Sequence, residues 1–236
     1  MTSMIGGAAP VSDARVRRVL GTVALAGPVL FAVAWLVAGP LQDAYSPRRE
    51  DVSALAAMDA QVPGVMIAGF LAFGIGVLAL GVGLRRTVDG GRWARTASIL
   101  LVVAGLGILV AGLSRNDCST ELPECRMLIE AGQVSWHHHL HDGISALVFL
   151  VFVAAQLVAA RAFTRDKAWS DLRLYSIVSG IATFALLVLF ASAAVENSNG
   201  LVERVFLAAP MVWVGMLGLR LFRLGGGRTS MVPEPG

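Results

Sequence analysis

Residues 63–84 read PGVMIAGFLAFGIGVLALGVGL and are followed at once by Arg85 and Arg86. No charge interrupts the run. A helix rising 1.5 Å per residue needs about 20 such residues to cross roughly 30 Å of hydrocarbon, so this stretch predicts one membrane-spanning helix. Five further runs repeat the pattern, at residues 19–39, 96–113, 143–160, 174–195 and 205–219, and none contains Asp, Glu, Lys, Arg or His. Polar residues extend two of them, and the predicted helices are 19–39, 63–84, 96–113, 138–160, 174–195 and 205–222. A membrane β-barrel would show segments of about ten residues alternating apolar and polar, which these runs do not. The expected fold is therefore all-α: a polytopic six-helix bundle over 19–222, with an N-terminal segment, 1–18, and a Gly- and Pro-rich tail, 223–236, expected to be disordered.

Composition agrees with the runs. Hydrophobic residues make up 56% of the chain and charged residues 15%, more apolar than a water-soluble domain can hide. Arg15, Arg17 and Arg18 before the first run resemble the basic end of a signal peptide. A signal peptide's apolar stretch is typically about 7 to 15 residues, however, and this one continues through Trp35, so it is read as a retained helix.

The cations set the expected orientation, because short loops rich in Lys and Arg stay in the cytoplasm. They cluster before the first helix, at Arg85, Arg86, Arg92 and Arg95, at Arg161, Arg165, Lys167 and Arg173, and at Arg220, Arg223 and Arg228; only Arg48, Arg49, Arg115, Arg126 and Arg204 fall on the other side. Both termini are thus expected in the cytoplasm, with the protein multi-pass in the plasma (inner) membrane. A pI near 9.4 does not imply nucleic acid, since the cations flank membrane segments and no aromatic-interleaved basic patch exists. Anionic membrane lipid is the partner that such cations fit.

Two of the three outward loops, 40–62 and 114–136, are long, and the third, 196–204, is short. Long loops in compact proteins carry function, which directs attention to the outer face. Cys118 and Cys125 share the second loop, on the side where thiols oxidise, and are expected to form a disulfide, with free thiols or a mixed zinc site as alternatives. No ionisable residue interrupts the apolar runs, which argues against an ion-coupled transporter. All four histidines lie between 137 and 141, so haem ligation from facing helices is not expected.

Three polar strings remain. In 43–53, Arg48 and Arg49 could pair bidentately with an anionic head group, with Ser53 at the entrance to the second helix. In Trp136-His137-His138-His139-Leu140-His141-Asp142, helical spacing at 100° per residue puts His138, His141, Asp142 and Ser145 in one stripe and sends His137 and His139 to its flanks. Imidazole plus carboxylate is a zinc ligand set, with Asp117 or Asp51 able to complete it, although interfacial anchoring explains the same residues. In 196–204, Asn199-Gly200 predicts a turn, and Glu203 with Arg204 is expected to pin the helix that follows.

Tyr45-Ser-Pro with Val52-Ser-Ala-Leu55, Asp117 followed by His141, and Gly200-Leu-Val-Glu-Arg204 together resemble bacterial six-helix membrane proteins grouped as domain of unknown function 998 (DUF998). The likeness covers roughly residues 19–222. It implies a topology without an activity and picks out Ser53, Asp117, His141, Glu203 and Arg204; the histidine run and the cysteine pair depart from its pattern. The expected function is an outward pocket binding the head group of a lipid or small amphiphile, non-enzymatic or accessory, in which Ser53, Asp117, His141 and Glu203 converge. The alternative is an outward-facing metal-dependent hydrolase of a lipid-like substrate, with His138, His141 and Asp117 as zinc ligands and Asp142 or Glu50 as general base.

Overall fold

The computed structural model describes residues 11–192 and 197–226. Among them are seven α-helices and no strand: α1 Val11–Ala38, α2 Pro63–Thr87, α3 Arg92–Leu113, α4 Pro123–Glu130, α5 Trp136–Phe163, α6 Arg173–Phe190 and α7 Asn199–Gly225. Six are long and apolar enough to cross a membrane, all but the short α4. The protein is a multi-pass membrane protein.

Most of the helices outrun their apolar cores. A helix satisfies its own backbone hydrogen bonds, so it can carry arginines past the hydrocarbon while their stems snorkel to the interface. Thus α1 begins inside the segment assigned to 1–18, and α7 reaches Gly225, inside the 223–236 tail; residues 1–10 and 227–236 lie outside the described residues. Pro63 and Pro123 open α2 and α4 at the first helical turn, where a missing N–H costs nothing. Ser135 caps α5, its hydroxyl accepting from the His138 N–H.

The six long helices pack as a ring in chain order, α1 on α2, α2 on α3, α3 on α5, α5 on α6, α6 on α7, and α7 back on α1. Lipid gives no hydrophobic push between helices, so small residues that let backbones approach hold such a ring together. Gly27 and Gly76 meet face to face between α1 and α2; a Cβ on Gly76 would stand 3.0 Å from the Gly27 Cα. Of the six, α6 buries the smallest share of itself. The ring has a basic end, carrying the α2–α3 and α5–α6 turns, and a loop end, carrying the other three connections.

At the loop end the connections interlock. Arg115, following α3, donates to the carbonyls of Ala56 at 2.8 Å and Ala57 at 2.6 Å, and the Met58 N–H donates to Asn116 O at 2.8 Å. Asn199 Nδ2 donates to Glu121 Oε1 at 2.7 Å, tying the start of α7 to the α3–α4 loop. Cys118 and Cys125 are disulfide-bonded, fastening that loop to α4.

Candidate functional site

The loop between α1 and α2 is stapled to the first turn of α7. Glu203 Oε2 accepts from the Val52 N–H at 2.6 Å. Arg204 donates to the carbonyls of Pro47 at 2.8 Å, Glu50 at 3.1 Å and Gly200 at 2.6 Å, and also to the Tyr45 hydroxyl. Burial pushes the Tyr45 hydroxyl's pKa up, against the lowering effect of Arg204. The N–H groups of Gly200 and Leu201, free at a helix start, donate to the carbonyls of Arg49 at 3.2 Å and Arg48 at 3.1 Å.

Gly200 is needed for this contact, because a Cβ there would lie 2.1 Å from Glu50 O. The expected Asn199-Gly200 turn is therefore a correction: both residues are helical, and the glycine serves close approach. Glu203 and Arg204 do pin a helix end, and what they pin it to is the α1–α2 loop. Glu196, at the head of that connection, lies outside the described residues.

The histidine string divides as its helical spacing predicts: His138 is 0% and His141 5% exposed, while His139 is exposed. His138 Nδ1 accepts from the Asp117 N–H at 3.1 Å, so the proton of the neutral ring sits on Nε2, which has no hydrogen-bond partner and lies 3.6 Å from Asp142 Oδ2. His141 has the opposite tautomer. Its Nδ1 donates to the carbonyls of Ala111 and Ser114, both at 2.8 Å, leaving the lone pair of the neutral ring on Nε2. His137 is engaged rather than idle, its Nδ1 donating to Arg115 O at 2.6 Å.

Asp117 holds the start of α5, accepting from the Ser135 N–H at 2.5 Å and the Ser135 hydroxyl at 2.9 Å. Desolvation pushes its pKa up, but those two bonds together with His137 and His138 outweigh it, and the carboxyl stays below its usual range. Glu50, the other proposed base, is buried and accepts from the Ser46 N–H. Among the described residues no group of three or more His, Cys, Asp or Glu is placed to hold a metal ion. The expected zinc set of His138, His141 and Asp142 is not among such groups: His138, its Nδ1 taken by the Asp117 N–H, carries its proton on the Nε2 that faces Asp142 and offers no lone pair there, whereas His141 keeps one on Nε2.

A cavity of about 330 Å³ occupies the centre of the ring at the loop end. Its deep wall is aromatic and aliphatic, with Phe31, Phe70, Phe73, Phe149, Phe152 and Leu207, and every long helix contributes. Its polar end is made by Asp51, Ser53, Asn116, Thr120, His141, Asp142, Ser145 and Glu203. Ala146 of α5 and Ala191, the residue that follows α6, line it and are exposed, so its wall reaches the surface between those two helices.

Of the residues singled out in the sequence, Asp51, Ser53, His141, Asp142, Ser145 and Glu203 come together in this lining. Arg48 and Arg49 are exposed and outside it, Arg204 is spent on backbone carbonyls, and Asp117 and His138 stand behind it. Asn116 and Thr120, which no motif marks, belong to it. Asp51 accepts from Thr120 at 3.5 Å through Oδ2, while its Oδ1 has no partner. Desolvation, then the Glu121 carboxylate, raises the Asp51 pKa to about 7.

No curated protein and no solved structure matches the chain. The profile described as "Protein of unknown function (DUF998)" matches residues 25–220, the ring and its loops together, and the chain belongs to that family.

Proposed function

We propose that the protein binds one small or single-chain amphiphile in the central cavity, head group among the polar residues and tail against the phenylalanines, without catalysing a reaction on it. The observation that supports this reading is the joining of an apolar wall to a polar end within one cavity whose wall reaches the surface between α5 and α6. Ligand pockets run from about 300 to 1,000 Å³, so about 330 Å³ suits a drug-sized molecule or one acyl chain and excludes a whole two-tailed lipid. A membrane lipid or a membrane-dissolved amphiphile would enter from the bilayer. On this reading the loop end faces out of the cell in a plasma membrane, an orientation that the distribution of cations supports.

The test is native mass spectrometry of the protein released from neutral detergent. Wild type should retain about one amphiphile per chain. Ala146→Trp, which crowds the lining where it reaches the surface, should lose it, while Leu150→Trp on the exposed face of the same helix should keep it. Equal retention in both variants would refute the site.

A further inference from the structure

The polar end of the cavity is one-sided in charge and in hydrogen bonding. Its acidic lining residues are Asp51, Asp142 and Glu203, and no Lys or Arg is in the lining. The nearest guanidinium, that of Arg204, is committed to Pro47, Glu50 and Gly200 carbonyls and the Tyr45 hydroxyl. Glu121 adds a fourth acid close to Asp51.

Independently of charge, acceptors are left over. Asn116 is only 3% exposed, yet its side-chain oxygen lacks a partner, and so does Asp51 Oδ1. His141, with Nδ1 turned onto backbone carbonyls, leaves the Nε2 lone pair as its remaining function. Buried acceptors left unmade are costly, and native structures normally supply their donors. Here no protein group is bonded to either oxygen, and a ligand that carries donors would satisfy both. The Phe70 ring, 6.2 Å from that of His141, borders the same end with an apolar surface.

We propose that the head group taken by this cavity is a primary ammonium carried on a single apolar body. This rests on the amphiphile reading above and deepens it. A primary ammonium brings three N–H donors and one positive charge, against unpartnered acceptors on Asp51 and Asn116 and the free His141 nitrogen. A phosphate or sulfate head would bring only acceptors and a like charge. A quaternary ammonium would keep the charge and lose the donors.

The experiment titrates the full chain in neutral detergent with four probes of one chain length, decylamine, decyltrimethylammonium, decanol and decyl sulfate, by isothermal calorimetry. Decylamine should bind about tenfold or more tightly than each of the others, the fold expected of charge-assisted hydrogen bonds. Asp51→Asn and Asn116→Leu should erode that preference while decanol binding persists, and Arg95→Ala at the basic end should change nothing. Equal affinity for all four overturns the ammonium assignment and leaves the amphiphile site standing; binding of none sinks both. Decyltrimethylammonium equalling decylamine also overturns it, because charge alone would then suffice. The wild-type ranking decides the matter even where a variant fails to fold. An amine-bearing lipid co-purifying with wild type would identify the bilayer as the source, and decylamine binding to a protein that carries no lipid would point to an exogenous amine; either supports the proposal.

Discussion

The two ends of the ring put arginine and carboxylate to different use, although at the basic end too Arg18 holds a carbonyl, that of Gly225, and Asp166 accepts from the Asp89 N–H. At the basic end Arg85, Arg86 and Arg95 are exposed around a groove between α2 and α3, and Arg220 pairs with Asp171 at the surface. At the loop end Arg115 and Arg204 are consumed by backbone carbonyls, and Glu50 and Glu203 are buried as acceptors of backbone N–H groups. Arg85, Arg86 and Arg95 at the first end are left exposed; at the second Arg115 and Arg204 hold loops in place, and carboxyl groups line a cavity. Net charge, which is basic for the whole chain, therefore says nothing about the charge of the site.

The largest effect that can break this contrast is at Gly200. Adding one methyl where the Glu50 carbonyl lies 2.1 Å away forces the α1–α2 loop off α7, and Gly200→Ala should cost about 3 kcal/mol in thermal or denaturant unfolding. Gly64→Ala, which meets nothing within 4 Å, should cost nothing measurable. Equal effects would mean that the staple does not hold the loop. Next comes arginine itself: Arg204→Ala should lose about 2 kcal/mol, having left several carbonyls without donors, whereas Arg95→Ala should stay within about 0.5 kcal/mol.

A smaller effect sharpens the electrostatics. Asp51 has a folded pKa of about 7, raised from near 4, so the folded state binds an extra proton between those values. The contribution of Asp51 to stability is full below about pH 4 and is lost as pH rises toward 7, after which its slope vanishes. Glu121, Asp142, Glu203, Arg204 and Thr120 all face this group, and Asp51→Asn should flatten the curve between about pH 4 and 7. Ammonium binding should run the other way, tightening as pH rises through 7, because the ligand prefers the ionised carboxyl. Asp117, with its lowered pKa, adds stability that is lost only as pH falls below the usual carboxylate range. The mildest test leaves stability untouched: Met58→Cys should react with an impermeant thiol reagent on intact cells and Arg86→Cys should not, and the reverse pattern would invert the membrane orientation.

The six spans were legible because a charge-free run of about 20 residues has one economical solution in a bilayer. Ser53, His141 and Glu203 were legible as polar residues beside those runs. Asn116 and Thr120 were not, since one more polar residue in a polar loop has no local mark, and their place beside Asp51 is tertiary. Nor were Phe31, Phe70, Phe73, Phe149 and Phe152 distinguishable as a cavity wall, because a phenylalanine facing lipid and one facing an internal cavity leave the same apolar pattern. Arg48 and Arg49 drew the anion reading through their charge, while the role of Arg204 depends on where three backbone carbonyls point. The zinc reading rested on helical spacing, which correctly turned His138 and His141 inward but carries no information on which ring nitrogen the backbone takes.

The central claim is that the loop-end cavity is a ligand site, and the most direct measurement is a density map of the protein in lipid nanodiscs. The account predicts elongated density in the cavity, its polar end beside Asp51 and Asn116 and its tail along Phe149 and Phe152. A map in which the side chains of α6 have closed over Phe152 and the space holds nothing would contradict it.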